Sequence, residues 1–215
     1  YRAVNIALVN ELMLLCDKMG INVWEVIDAA ATKPFGIQVF YPGPGVGGHC
    51  IPVDPFYLSW KARRYDFPTR FIELAGEINI LVSYHVVNKV VGALNAMGNP
   101  VKGARIFVLG VTYKKDISDL RESPAIKIIK QLTDKGAEVV FFDPYVTAFG
   151  ESELGLPIER VELTEQELAG SDCVLIITDH SQIDYEKVVS AARIVVDTRN
   201  ATRDVKAGRE KIILI

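Results

Sequence analysis

The spacing of apolar residues divides the chain into a helical first half and an alternating second half. Helices are predicted over 2–19 and 23–32, and a longer helix over about 69–97 is apolar on more than one side. The first helix has four apolar residues at helical spacing, namely Val4, Leu8, Leu12 and Leu15. Glycine and proline crowd the segment 33–54, so neither a helix nor a central strand is expected there. A long loop of this kind is usually functional.

Short apolar runs alternate with helical segments from residue 99 onward. Strands are predicted over 105–111, 138–143, 173–177, 194–197 and 212–215. This alternation is typical of a doubly wound parallel sheet in an α/β protein. We therefore expect a helical domain over 1–98 and a Rossmann-like domain over 99–215. The helix over 69–97 would connect the two domains, pack against a second subunit, or do both.

Charge and composition exclude several classes of protein. The 24 Lys and Arg against 27 Asp and Glu give a net charge of -3, which offers no electrostatic reason to expect nucleic-acid binding. No uninterrupted apolar stretch reaches the roughly 20 residues of a bilayer span. The odd number of widely spaced cysteines favours a reducing cytoplasm over a disulfide framework. The chain opens in helical rhythm with neither a cap nor an initiator Met, so we expect it to be the C-terminal part of a longer protein.

Cys50 is the strongest candidate for chemistry. It ends the glycine-rich loop, follows His49 and lies four residues before Asp54, whereas Cys16 and Cys173 lie in apolar segments and are expected to be buried. An accessible thiol with polar neighbours is what a nucleophile needs. A metal site is not expected, because Cys50 and His49 have no further ligands at a structural-zinc spacing.

The run of residues 43–48 superficially fits the dinucleotide pattern G-x-G-x-x-G. That pattern requires a strand before it and a helix after it, and here Pro42 precedes it and His49-Cys50-Ile51-Pro52 follows. We therefore reject the dinucleotide interpretation. A structural turn remains one explanation, and a loop whose bare backbone approaches a ligand closely is the other.

Several charged residues follow predicted strands of the second half. Lys114, Lys115 and Arg121 come after the first strand, and Arg199 comes after the strand that ends at Asp197. In an open α/β sheet, ligands bind beyond the carboxyl ends of the strands, and a cluster of cations there suits phosphates. A solvated charge cluster is the alternative. Asp143 ends the second strand, where a ribose-binding acid often lies, but Pro144 and the lone Gly110 argue against an NAD fingerprint in this sheet.

Three motifs in order resemble the UDP-glucose/GDP-mannose dehydrogenase family. The segment 41–55, YPGPGVGGHCIPVDP, is similar to the catalytic-cysteine loop of that family. The segments 110–124, GVTYKKDISDLRESP, and 197–199, DTR, are similar to its later motifs. The segments 31–36 and 41–45 look most like the UDP-N-acetylglucosamine or UDP-N-acetylgalactosamine 6-dehydrogenase branch.

The resemblance implies oxidation of the C6 alcohol of a UDP-sugar to a carboxylate with NAD as the cofactor, in a homodimer formed through the central helices. Cys50 would attack the aldehyde intermediate, and Asp54 would assist with water or proton transfer. Arg121 would reach the NAD pyrophosphate. Substrate contacts are implied for Lys33, Tyr41, Gly43, Gly47, Lys114 and Arg199, with Lys33 reaching across the dimer.

The resemblance also implies what this chain lacks. The NAD-binding domain of the family and its catalytic Lys and Asn precede the first residue, so we expect no turnover by the chain alone. The family often has Lys at the position of Val53, so this sequence gives no support for an NAD contact there. The competing hypothesis is a UDP-sugar-binding or dimerisation module without chemistry. A cysteine hydrolase lacks support, because His85 and His180 have no evident orienting motif.

Overall fold

The computed structural model describes all 215 residues. The helices are α1 (Arg2–Met19), α2 (Val23–Ala31), α3 (Asp54–Ala62), α4 (Arg70–Ala96), α5 (Pro124–Asp134), α6 (Glu151–Leu154), α7 (Glu165–Gly170) and α8 (Tyr185–Ala191). The strands are β1 (Arg105–Leu109), β2 (Glu138–Phe142), β3 (Glu159–Arg160), β4 (Cys173–Ile176), β5 (Val195–Asp197) and β6 (Ile212–Leu214). None of the helices has the combination of length and apolarity that crossing a bilayer requires.

The six strands form one parallel sheet in the order β3-β2-β1-β4-β5-β6. This confirms the predicted doubly wound sheet. Strand order reverses between β1 and β4, which are hydrogen-bonded neighbours. The crevice beyond their carboxyl ends is where an open α/β sheet binds ligands.

Helix α4 joins the helical half to the sheet. Its buried residues Val82, Val86, Val90 and Leu94 belong to one core that also includes Ile106 of β1. The apolar character predicted for this helix is therefore matched by burial from its centre to its C-terminal end. The two halves share this core, and the division of the chain at residue 98 into two domains stays a prediction.

The apolar face predicted for α1 points away from the core. Leu8, Leu12 and Leu15 are all exposed, and the same holds for Met19 at the end of the helix. The buried face of α1 consists of Ala7, Asn10, Met13 and Cys16. The spacing thus predicted the helix correctly but not its inner side, and an apolar stripe lies open on the surface of a single chain.

Helix α3 is the main element that the sequence pattern did not predict. Asp54 and Pro55 start it directly after the glycine-rich loop. Pro is tolerated in the first turn of a helix, where its missing N–H has no partner to lose. The segment rich in glycine and proline therefore ends where α3 begins. Cys50 lies just before α3, and the Cys50 carbonyl accepts the N–H of Asp54 at 2.8 Å.

The glycine-rich loop lies directly against the carboxyl edge of the sheet. A side chain on Gly47 would come within 2.5 Å of the Tyr113 Cβ and 2.7 Å of the Glu122 carbonyl oxygen. A side chain on Gly43 would collide with the Arg199 guanidinium, and Gly48 donates its N–H to the Arg121 carbonyl at 2.9 Å. Only bare backbone fits at these contacts.

Replacing Gly47 by Ala tests this seating. We expect Gly47→Ala to lower the free energy of unfolding by about 1–3 kcal/mol, because the new methyl group overpacks a contact with rigid backbone. Urea denaturation of the chain measures the change. Gly92→Ala is the matched control, because Gly92 is exposed in α4 and a Cβ added there would meet no atom within 4 Å. That substitution should raise stability by up to about 1 kcal/mol through helix propensity. A Gly47→Ala chain as stable as the unaltered one would contradict the tight seating.

Candidate functional site

A cavity of about 550 Å³ opens where the helical half meets the carboxyl edge of the sheet. We call it the edge cavity. The helical half contributes Trp24, Asp28 and Tyr41 to its lining, and the loops after β1 and β5 contribute Lys115 and Arg199. The edge cavity therefore lies at the position predicted for a phosphate-bearing ligand, with side chains from both halves of the chain.

Arg199 is a cation without a carboxylate partner. Its Nε donates to the carbonyl oxygen of Ile177 at 3.1 Å, and its guanidinium, half-buried between Gly43 and the edge cavity, forms no ion pair. Burial lowers the pKa of Arg199, and the nearby carboxylates of Asp179 and Asp197 oppose that shift. A partly desolvated guanidinium that lacks a direct counter-ion is suited to bind an anion bidentately.

Tyr41 forms an aromatic wall of the edge cavity. Its ring stacks on Trp24 with centroids 5.6 Å apart and planes at 17°, and 49% of the residue is exposed. Its hydroxyl donates to Asp28 at 2.7 Å, and this hydrogen bond raises the pKa of Tyr41. The Trp24 indole in turn donates to the carbonyl of Ile215 at 3.2 Å. The ring is thus held in place and offers a flat surface to a planar group.

Cys50 lies beside a second cavity of about 460 Å³, which we call the thiol cavity. Cys50 is exposed, and its Sγ is 3.6 Å from the Nδ1 of His49. Asp54 and the first residues of α1 also line the thiol cavity. The structure therefore brings Cys50 and Asp54 together, at the opposite end of the glycine-rich loop from Tyr41.

Arg121 is exposed, and its carbonyl accepts the N–H of Gly48, two residues before Cys50. Its guanidinium pairs with Asp119 at 2.6 Å, and this hydrogen bond raises the pKa of Arg121 and lowers that of Asp119. Cys50 lies close enough to add a smaller contribution to the rise in the pKa of Arg121. Asp119 thus engages the Nε and Nη2 of Arg121, and the contact of this cation with a phosphate stays a prediction.

The two lysines predicted for the site, Lys33 and Lys114, line neither cavity. Lys33 is exposed on the loop after α2, with its ammonium 5.5 Å from the ring centroid of Phe35. Lys114 is exposed as well, and the neighbouring Lys115 lines the edge cavity instead. The roles predicted for Lys33 and Lys114 stay predictions.

Asn10 is a site residue that the sequence pattern did not indicate. It is fully buried in α1, donates to the Oδ1 of Asn79 at 2.9 Å and accepts the N–H of Gly43 at 3.1 Å. The side-chain amide of Asn10 thereby links α1 and α4 to the start of the glycine-rich loop. A polar residue on the buried face of an amphipathic helix was the available signal.

The end of β2 and the turn after β1 are both closed by packing and hydrogen bonds. Asp143, at the end of β2, is fully buried and accepts hydrogen bonds from the amides of Val111 and Tyr145 and from His180. A side chain on Gly110 would lie 2.5 Å from Thr178, so the turn after β1 is closed by packing. The acid at the end of β2 is therefore not free to contact a ribose. The contact between Arg121 and a cofactor pyrophosphate stays a prediction.

Both halves of the chain match models of one protein family. The model of the UDP-glucose/GDP-mannose dehydrogenase family, central domain, matches residues 1–80, and that of the same family's UDP binding domain matches residues 107–204. The chain is 36% identical over 208 residues to the UDP-N-acetyl-D-mannosamine dehydrogenase of Methanococcus maripaludis. It is 37% identical over 205 residues to the NDP-N-acetyl-D-galactosaminuronic acid dehydrogenase of Ralstonia solanacearum. Each alignment covers 93% of this chain and 45% of the relative, so the chain spans about half the length of the curated relatives it matches.

Solved structures give the same result. The UDP-D-ManNAc dehydrogenase of Pyrococcus horikoshii superposes with a TM-score of 0.83 at 32% identity, over 99% of this chain and 48% of that one. The NDP-N-acetyl-D-galactosaminuronic acid dehydrogenase of Methanosarcina mazei superposes with a TM-score of 0.84 at 27% identity, over 100% of this chain and 47% of that one. Two family models that follow each other along the chain, together with this fold, lead to one conclusion: the chain belongs to the UDP-glucose/GDP-mannose dehydrogenase family.

Proposed function

We propose that this chain forms the substrate-holding part of an NAD-dependent UDP-sugar 6-dehydrogenase, which oxidises the C6 alcohol of the sugar to a carboxylate. The edge cavity holds the uridine diphosphate, and the sugar follows the glycine-rich loop towards the thiol cavity. The remaining half of the enzyme carries the dinucleotide-binding domain. The chain alone therefore binds substrate and does not turn it over.

The observation that carries this proposal is the placement of two groups at opposite ends of one loop. Arg199, a cation without a carboxylate partner, lies against Gly43 in the edge cavity, and the exposed Cys50 lies beside the thiol cavity. A diphosphate neutralises the first group, with Lys115 as a second cation on the same wall. The loop backbone then directs the far end of the substrate towards a nucleophile.

Cys50 supplies covalent chemistry. Its thiolate adds to the C6 aldehyde and forms a thiohemiacetal, oxidation of that adduct gives a thioester, and water releases the carboxylate and the free thiol. Asp54, exposed on the same cavity, is placed to hold the water or to accept its proton. The thiol must stay reduced, which agrees with the cytoplasm that the cysteine pattern favours.

NAD+, when bound, would supply the hydride acceptor for both oxidation steps. Arg121, exposed at the rim near Cys50, is the residue of this chain that we expect to contact the cofactor pyrophosphate. Its guanidinium carries a fixed positive charge that matches the phosphates.

The sugar is proposed to be a UDP-N-acetylhexosamine, and the product a uronic acid for polysaccharide biosynthesis. The names of the relatives, a UDP-N-acetyl-D-mannosamine dehydrogenase and an NDP-N-acetyl-D-galactosaminuronic acid dehydrogenase, support an acetamido sugar. They do not single out the glucosamine configuration that the loop motif suggested. Turnover on a panel of UDP-hexoses identifies the substrate.

We also propose that the enzyme is a homodimer formed through its central helices. The stripe of Leu8, Leu12, Leu15 and Met19 on α1 is between 39% and 60% exposed, which is a large apolar surface for a lone subunit. Helix α4 adds exposed apolar residues at its N-terminal half, such as Leu74 and Leu81. Burying both helices against a second copy satisfies these surfaces.

Thiol labelling tests the nucleophile. We expect an alkylating reagent at neutral pH to modify Cys50 well before Cys16 or Cys173, because Cys50 is exposed whereas the other two thiols are buried. Burial also raises the pKa of Cys173 to about 12, which keeps that thiol protonated and unreactive. UDP-N-acetylhexosamine should protect Cys50, as followed by mass spectrometry of the labelled peptides. Equal labelling of all three cysteines without protection would instead favour a binding module without chemistry.

Replacing Cys50 tests the covalent step itself. In the dehydrogenase that contains this chain, Cys50→Ser should lower uronic acid formation by about 10³-fold or more, because a hydroxyl is a far weaker nucleophile than a thiolate. Chromatography of the sugar products measures the loss. Cys16→Ala, which alters a cysteine buried in α1, is the control and should still form the acid. Unchanged acid formation by Cys50→Ser would remove the mechanism.

A charge on the α1 stripe tests the dimer. Leu12→Asp should raise the dimer dissociation constant at least about tenfold, because an unpaired carboxylate would be buried at the interface. Sedimentation velocity over a concentration series gives that constant. Leu156→Asp, at an exposed leucine of the sheet half, should leave it unchanged. Sedimentation of the unaltered protein as a monomer at every concentration would refute the dimer.

A further inference from the structure

A buried histidine joins the loops that follow three neighbouring strands. The His180 side chain is fully buried, and its Nε2 is 2.9 Å from the carboxylate of Asp143, while its Nδ1 is 3.0 Å from the backbone nitrogen of Asp116. Asp143 follows β2, Asp116 follows β1 and His180 follows β4. We call this arrangement the His180 clasp. His180 and its neighbour Ser181 are themselves among the residues that line the edge cavity.

The hydrogen bonds determine where the imidazole proton is. The Asp116 amide can only donate, so Nδ1 must carry the lone pair, and the proton lies on Nε2 and points to Asp143. Burial alone would raise the pKa of Asp143, but hydrogen bonds from His180, Val111 and Tyr145 outweigh it and lower that pKa. Both ring nitrogens of His180 are thus hydrogen-bonded, one to the Asp116 amide and the other to the Asp143 carboxylate.

The clasp holds the segment that presents the lysines. Asp116 has a φ of 60°, a left-handed conformation that non-glycine residues rarely adopt and that surrounding contacts must enforce. His180 accepts the N–H of Asp116. The Asp116 carboxylate in turn accepts the N–H of Ser181 at 2.8 Å and the Ser181 hydroxyl at 2.7 Å. Lys114 and Lys115 directly precede this fixed point, and Lys115 lines the edge cavity.

We propose that His180 is a positioning residue for nucleotide recognition. Asp143 fixes the imidazole through a hydrogen bond to Nε2, and the imidazole fixes the Asp116 backbone by accepting its N–H at Nδ1. This inference rests on the proposed function. The acid at the end of β2, which presents a ribose contact in dinucleotide-binding sheets, here supports the imidazole from inside the protein. The nucleotide then meets a preformed wall, and ordering the lysine segment costs little on binding.

Two isosteric variants separate the two ends of the imidazole. In His180→Asn the side-chain amide oxygen can take the place of Nδ1, so the acceptor for Asp116 remains and the donor to Asp143 is lost. In His180→Gln the side-chain amide nitrogen can take the place of Nε2, so the donor to Asp143 remains and the acceptor for Asp116 is lost. His180→Asn therefore removes the hydrogen bond to Asp143, and His180→Gln removes the hydrogen bond that holds the segment of Lys114 and Lys115.

UDP binding by the chain, measured by isothermal titration calorimetry, gives the decisive comparison. We expect His180→Gln to weaken UDP about tenfold with little change in Tm, and His180→Asn to lower Tm while UDP affinity stays within about threefold. His85→Gln, at a histidine between α1 and α4, is the control and should leave UDP affinity unchanged. In the assembled dehydrogenase, His180→Gln should raise KM for the UDP-sugar and leave kcat within about threefold, because Cys50 lies at the other cavity.

Failure has distinct forms. If the unaltered chain binds UDP and His180→Gln binds it equally well, the positioning role is wrong and the proposed function stands. If the affinity of both variants falls in proportion to their loss of Tm, His180 acts through stability alone and the inference is again overturned. If the unaltered chain binds no UDP, the proposed function fails and the inference fails with it.

Discussion

The structure depends on how closely the backbone of the glycine-rich loop approaches the carboxyl edge of the sheet. A methyl group at Gly47 would overlap Tyr113 and the Glu122 carbonyl, and one at Gly43 would overlap Arg199. Glycine leaves the loop in contact with residues that follow two different strands. Because the loop belongs to the helical half, this contact also determines how the helices sit on the sheet at the site.

The loop consequently connects two chemically different environments. Its start lies at the edge cavity, where Arg199 and Lys115 supply positive charge and Tyr41 supplies a flat wall. Its end lies at the thiol cavity, where Cys50 is exposed beside Asp54. One segment of backbone thus sets the relative position of a cationic cavity and an exposed thiol. Fixed positioning of this kind is what catalysis on a bound substrate needs.

The sequence predicted the long, periodic elements well and the short ones poorly. Helix α1 covers the predicted residues, α4 is within a residue of its prediction at both ends, and the parallel sheet follows from the alternation of apolar runs. Helix α6 has four residues and β3 has two, too few for any periodicity to appear. The prediction of the inner face of α1 was wrong. An apolar stripe does not show which surface covers it, and in the structure of one chain this stripe is exposed.

Within the site, the predictable residues are those whose role is local, and the others act over long separations in sequence. Cys50 was recognisable from its immediate neighbours, whereas Asn10 contacts Gly43 across 33 positions and His180 contacts Asp116 across 64. Both are buried polar side chains with several partners satisfied, and such groups specify one arrangement because every alternative leaves a polar atom unpaired. The loops that carry the exposed site residues are therefore held by interior amides and an imidazole. Because Asp143 is buried against that imidazole, it does not stand open at the sheet edge, where dinucleotide-binding sheets of this type present an acid to a ribose.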